Sequence, residues 1–139
     1  MKKNREIAFI CILACIIALI VPASASSTRA SDQIKGYMMD TIVTRGAINI
    51  EFSITGKVIM SKIGCESIYI YKKVGTAWIY DDDKTEDDPG MSVTKRGHLG
   101  NTITFSGTAG VEYMVVVTVF AEDDNARDTR SKTFYVTGQ

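Results

Sequence analysis

The chain has 139 residues, with 16 basic and 16 acidic side chains and one His, for a formal net charge of zero at pH 7. That balance gives no global attraction to nucleic acid or to an anionic lipid surface. Three Cys and one His are too few for a cystine scaffold or a zinc site built from these residues alone.

The first residues, MKKNREIAFICILACIIALIVPASASS, run from Lys2, Lys3 and Arg5 through an apolar stretch, Ile7 to Val21, to Pro22 and the small residues Ala23, Ser24 and Ala25. This is the layout of a secretory signal peptide, and cleavage is expected after Ala25. The apolar stretch is about fifteen residues, short of the roughly twenty that span a bilayer. Cys15 in ILAC hints at a lipoprotein cut, but the apolar run continues past it through IIALIV. The expected organisation is a signal peptide over 1–25, a disordered segment over 26–32 and one domain over 33–139. Loss of the leader leaves a slight acidic excess and Cys65 as the sole thiol, unable to form an internal bridge. An exported domain without cystine suits a Gram-positive exporter. With no second apolar segment of spanning length after residue 25, the product is expected to be secreted and free of the membrane.

Alternation with period two dominates the remainder, and no window shows apolar residues at helical spacing. The first expected strand is IKGYMMDTIVT over 34–44, followed at Arg45 and Gly46 by a turn. Next, AINIEFSIT puts Ile48, Ile50, Phe52 and Ile54 on one face and Asn49, Glu51, Ser53 and Thr55 on the other, the mark of an antiparallel sheet buried on one side. After Gly56 and Gly64 comes ESIYIYKK over 66–73, then AWIY over 77–80.

The loop joining these last two strands decides which side chains share a face. A two-residue turn at Val74 and Gly75, or a four-residue loop from Lys73 to Thr76, sets Tyr69, Tyr71, Trp78 and Tyr80 together on one aromatic face. The two-residue version forces Val74 to positive φ, which a β-branched residue resists. A three-residue loop, Lys73 to Gly75, avoids that strain and sends Trp78 and Tyr80 into the core with Ile68 and Ile70, and it is the expected form. Tyr69 and Tyr71 then remain as a smaller exposed pair and the candidate binding residues, since aromatic rings offer rigid surface with a polar edge.

Residues 80–90 read YDDDKTEDDPG. A calcium loop needs carboxylates at alternating positions, then Gly, then a distal Glu. Counting from Asp81 meets Glu86 where that glycine belongs, so a compact motif fails. An irregular calcium site remains open if Asp81, Asp83, Asp87 and Asp88 approach Glu122, Asp123 and Asp124 of the later AEDDNARD stretch. If residues 91–100 form no strand of their own the two acidic loops share one end; a separate strand at MSVT, 91–94, parts them. Otherwise the acidic stretch is solvated charge that blunts edge pairing. The remaining expected strands are NTITFS over 101–106, EYMVVVTVFA over 112–121 and RSKTFYVT over 130–137. About seven short strands in this length predict an all-β antiparallel sandwich.

The stretch GTAGVEYMVVVTVFA resembles the sixth strand of immunoglobulin-like and fibronectin type III-like sandwiches, in which a Tyr after a glycine turn ties its hydroxyl back to the preceding connection. Tyr113 holds that place. More broadly, KIGCESIYIYKKVGTAW and YMVVVTVFAEDD resemble an uncharacterised family of small secreted proteins from Gram-positive anaerobes, a likeness that implies export and the sandwich and no activity.

No catalytic set emerges, and the chain is not expected to be an enzyme. His98, in KRGHLGN, is expected to be a solvated residue, and no nucleophile elbow accompanies it. Cys65 is expected to be a quiet thiol. The expected function is a secreted, non-catalytic immunoglobulin-like module that binds a protein or a glycan and needs no cofactor. A structural protein that assembles through edge strands is the alternative, and a small hydrolase stands behind both.

Overall fold

The computed structural model describes residues 33–139; the expected leader and the 26–32 segment lie outside them. Six strands follow one another: β1 (Ile34–Thr44), β2 (Ala47–Val74), β3 (Ala77–Thr85), β4 (Ser92–Ser106), β5 (Glu112–Glu122) and β6 (Arg127–Thr137). All pairings are antiparallel, and the described residues contain no helix. Seven strands are expected from the sequence and six are found, because the segments at 47–55 and 66–73 are two parts of the single 28-residue strand β2.

This long strand organises the molecule. Its first half pairs with β1 and β4, and its second half with β5 and β3. The result is one hydrogen-bonded sheet curled into a half-barrel, with a β1–β2–β4 arm and a β3–β2–β5–β6 arm. The curl has a local cause. Between the pairs Thr55–His98 and Met60–Arg96, residues 56–59 of β2 face the single residue Gly97, and a second irregularity lies between Cys65 and Ser67. Extra residues on one strand bend and twist it. Gly64 sits inside the bend, where a Cβ would lie 2.2 Å from the Met91 carbonyl oxygen.

The first and last strands are tied at both ends. The Gln33 N–H donates to Asp128 Oδ2 at 2.8 Å, and the Gly46 N–H donates to the Gln139 carbonyl at 2.9 Å. On the far side of β2, β3 and β4 run in the same direction, one after the other, against successive stretches of it. Residues 86–91 are an excursion between them, pinned by the Glu86 N–H to the Glu66 carbonyl (2.9 Å) and the Cys65 N–H to the Met91 carbonyl (2.7 Å).

Alternation fills the inside. Ile48, Ile50, Phe52 and Ile54 from β2, Ile68 and Ile70 further along it, and Val115, Val117 and Val119 from β5 are all buried, joined by Met91 from the excursion. Each aliphatic side chain of this kind contributes about 1.5–3 kcal/mol when removed from water. At the start of β5 the Thr108 N–H donates to the Tyr113 hydroxyl at 2.9 Å, so the tyrosine ties its strand to the preceding connection as its sequence context leads one to expect.

Candidate binding face

The β2–β3 turn differs from each of the loops weighed from sequence. Val74 pairs with Ala77 and Lys73 with Trp78, so the turn residues are Gly75 and Thr76. Gly75 has φ +62° and Thr76 does not enter the positive region, the pattern of a tight hairpin turn with glycine first. This keeps Val74 in the strand and meets the demand for positive φ with the one residue that bears it freely.

The register then overturns the expected burial of Trp78. Trp78 and Tyr80 lie on the outer face rather than in the core, Trp78 half-buried and Tyr80 54% exposed. One outer row runs Tyr80–Tyr71–Met114–Tyr135 across β3, β2, β5 and β6, and the next runs Asp83–Tyr69–Val116–Thr133. Tyr69 and Tyr71, the two candidate binding residues, therefore sit in the middle of a larger aromatic face. The Tyr71 and Tyr80 rings meet edge to face at 6.3 Å, and the Trp78 and Tyr135 rings stand 5.7 Å apart. Tyr135 is the most exposed of the five, at 67%.

Charges frame these rings. Lys73 Nζ lies 5.7 Å from the Trp78 ring centroid and 2.7 Å from Glu112 Oε2. With Trp78, Tyr135 and Thr137, this pair lines an open cleft of about 350 Å³. The Tyr80 hydroxyl donates to Asp83, and that bond pushes the phenol up to about 12, so it stays a neutral donor throughout the physiological range. Such a face offers stacking area, one ion pair and several hydroxyls. It suits an extended ligand laid across it.

Sequence reasoning reached Tyr69, Tyr71 and the tyrosine–tryptophan neighbourhood but missed Tyr135. The signal was present in TFYVT: Phe134 and Val136 pack on the core, and strict alternation turns Tyr135 outward.

The acidic residues have partners of their own. Asp81 pairs with Lys72 at 3.0 Å and Asp87 with Lys62 at 3.5 Å. Asp88 accepts the Thr85 N–H at 2.7 Å, Asp123 accepts the N–H groups of Asn125 and Ala126 at 2.8 Å, and Asp124 accepts the Ser61 hydroxyl at 2.7 Å. Glu122 binds Arg127. Residues 92–94 form no separate strand but the start of β4, and the two acidic loops share an end, because β3 and β4 run in one direction and the excursion between them adds no reversal. Asp87 and Glu122 meet there through Lys62, Glu86 and Arg127, whereas Asp81 and Asp83 lie beside the aromatic face. Among the described residues, no group of three or more His, Cys, Asp or Glu side chains is placed to hold a metal ion.

Two acids that sequence reasoning did not single out carry the acidic end. Arg127 reaches Glu66 at 2.9 Å and Glu86 at 3.0 Å in addition to Glu122, and its guanidinium carbon lies 4.1 Å from the centroid of the buried Phe120 ring. Lys62 adds a contact to Glu86 at 3.2 Å. Burial works against charge on both partners, but the ion pairs outweigh it, holding Glu86 below the usual carboxylate range and Arg127 above its ordinary value. This network locks the bend of β2 to β5, β6 and the excursion.

His98 lies on β4 and is exposed, with Nδ1 3.0 Å from the Thr55 hydroxyl. Cys65 is fully buried, its Sγ 3.2 Å from the Thr118 carbonyl, and burial pushes the thiol up to about 12, far from a thiolate nucleophile at neutral pH. No family model matches the chain, and no curated protein matches it.

Proposed function

We propose that this protein is a secreted, non-catalytic binding module of immunoglobulin-like build, which holds a protein or glycan partner against the outer face of the β3–β2–β5–β6 arm. The single observation that carries the reading is the row of aromatic side chains, Tyr80, Tyr71 and Tyr135 with Trp78 over them, on the solvent side of a sheet whose other side is already a filled core. Rings exposed on a rigid sheet contribute contact area at little cost in conformational entropy.

The immunoglobulin-like part has two supports. The curled sheet has two arms around one core, β1 and β4 flanking one half of β2 and β3 and β5 the other, which supports a sandwich-like reading. The bond from the Thr108 N–H to the Tyr113 hydroxyl has the form of the tie-back that such sandwiches make at this corner. Export rests on the leader-like sequence of residues 1–25 and on the resemblance to small secreted proteins of Gram-positive anaerobes.

Trp78 is the chain's only tryptophan, which makes the test direct. Panels of soluble oligosaccharides and peptides are titrated while Trp78 emission is followed. A ligand of this face changes that emission, and Tyr135→Ala and Tyr80→Ala each weaken binding at least tenfold without loss of fold. Binding that survives both substitutions unchanged would remove the face from the mechanism.

A further inference from the structure

Pairing leaves four strands with a free side. β1, β3 and β4 each pair only with β2, and β6 pairs only with β5. A free strand side is a template for another strand, and stable monomers place charge there. All four carry some charge, but they distribute it differently. β3 carries Asp81, Asp82, Asp83 and Lys84, β6 carries Arg127, Asp128, Arg130 and Lys132, and β1 carries Lys35 and Asp40 and is tied to β6 at both ends. β4 has Lys95 and Arg96 near its start, but the ten positions from Gly97 to Ser106 that follow hold no Asp, Glu, Lys, Arg or Pro.

A finer comparison isolates the same strand. On β1 the Thr41 N–H donates to the Asp40 side chain at 2.8 Å, and on β3 the Asp83 N–H donates to Asp82 at 2.9 Å. On β4 the Thr102 N–H donates to the Asn101 side chain at 2.9 Å. An N–H capped by its own neighbour's side chain points away from the β2 ladder, so all three bonds mark the free side. Two caps are carboxylates that keep charge at the edge, and the third is a neutral amide that leaves none.

The geometry points to the free edge of β4 as a self-association surface, where two copies pair β4 with β4, antiparallel, about a two-fold axis at Ile103. A strand set against itself by a two-fold axis is antiparallel by construction, so the β1–β2–β4 arm continues into that of the second copy without changing its pairing type. With the axis at Ile103, the exposed Thr102 of each copy faces Thr104 of the other across the new ladder, a favourable cross-strand pairing with no like charges opposed. The Thr102 N–H exchanges its Asn101 cap for a backbone carbonyl. This surface lies on the other arm from the aromatic face and stands whether or not that face binds a ligand.

The test is sedimentation of the purified protein from about 1 μM to about 1 mM, the range in which a small, mainly backbone-mediated interface dissociates. A monomer–dimer equilibrium is expected, together with slowed amide exchange at Thr102 as concentration rises. Thr102→Lys/Thr104→Lys and Thr102→Glu/Thr104→Glu, which place like charges opposite one another, each weaken the dimer at least tenfold. An equimolar mixture of the two variants restores it. A protein that stays monomeric over the whole range overturns the proposal. So does a dimer indifferent to the substitutions, or a lysine–glutamate mixture that fails to recover, because a loss of folding alone would not be repaired by mixing.

Discussion

Trp78 and Tyr135 belong to strands at opposite edges of the β3–β2–β5–β6 arm, yet their ring centroids stand 5.7 Å apart at an interplanar angle of 50°. Neighbouring strands lie about 4.8 Å apart, which puts these two backbones roughly 14 Å from each other. Both side chains must therefore lie down across β2 and β5. The contact closes a small apolar patch on the outside of the sheet and fixes the orientation of the aromatic face. Removing the smaller partner, with Tyr135→Ala, is expected to cost about 1 kcal/mol in urea unfolding, the worth of one partly exposed aromatic pair. It should also shift folded-state Trp78 emission to the red as water reaches the indole. Unchanged emission would mean the two rings do not meet in solution.

A second bond tests the corner where β4 hands over to β5. Tyr113 is buried, and its hydroxyl accepts the Thr108 N–H at 2.9 Å. Tyr113→Phe keeps the ring in the core and removes only the acceptor. The expected loss is about 1 kcal/mol, the usual net worth of one hydrogen bond. It should come with faster amide exchange at Thr108 and no change at β6. A variant as stable as the parent, with Thr108 still protected, would show that the corner is held by packing alone.

These two sites also show what the sequence made legible and where it stopped. The buried face of β2 and β5 was readable because its cause is local: Ile48, Ile50, Phe52 and Ile54 alternate with polar residues, and Tyr113, Val115, Val117 and Val119 recur at every second position of an apolar run. The strand count was not, since Gly56 and Gly64 read as breaks and instead serve as the close-approach points of a bend within one strand. Trp78 was misplaced for a sharper reason. The preferred three-residue loop placed Gly75 third and turned Trp78 inward. Making Gly75 the first of two turn residues satisfies the same positive-φ requirement and shifts the ladder back to the aromatic face that the two- and four-residue alternatives carried. Half of the aromatic face depended on that shift. Tyr135 depended in addition on β6 lying beside β5, a long-range fact that no local pattern carries.

The acidic end gives the molecule a pH dependence of definite sign. Asp88 is held below the usual carboxylate range by the Thr85 N–H, Asp123 by the N–H groups of Asn125 and Ala126, and Glu86 by Arg127 and Lys62 against the opposing effect of burial. A carboxyl depressed in the folded state stabilises it fully above its ordinary value and ceases to do so as pH falls through the folded one. With ordinary values of 4.5 for Glu86 and 3.8 for the two Asp, the melting temperature should be flat from pH 7 to about 5 and fall steadily below 4.5. Arg127→Met keeps apolar cover over Phe120 but leaves Glu66, Glu86 and Glu122 facing one another. At pH 7 and low salt it should cost about 1 kcal/mol, shrinking in high salt, as befits half-exposed ion pairs. Parallel thermal melts of parent and variant across pH and salt check both statements; a salt-independent loss would assign Arg127 a packing role only.

Two glycines separate the roles of space and conformation. At Gly75, φ is +62° and nothing lies within 4 Å of a built Cβ, so Gly75→Ala meets only the cost of a left-handed backbone, about 1–2 kcal/mol. At Gly64 the built Cβ falls 2.2 Å from the Met91 carbonyl oxygen and 2.6 Å from the Ser92 Cα, both backbone atoms that no rotamer change can move. The Met91 carbonyl accepts the Cys65 N–H there, and the fully buried Met91 side chain follows its backbone. Gly64→Ala must therefore push the excursion away from β2, break that bond and open the core beside Met91, at a cost of about 3 kcal/mol or more. Denaturation curves for the two variants should differ accordingly. The buried thiol supplies a second readout, because Cys65 in the Gly75→Ala protein should resist a thiol reagent as the parent does, while in any folded Gly64→Ala protein it should react faster. Equal costs for the two substitutions would show that β2 and the excursion are not packed backbone to backbone at this point.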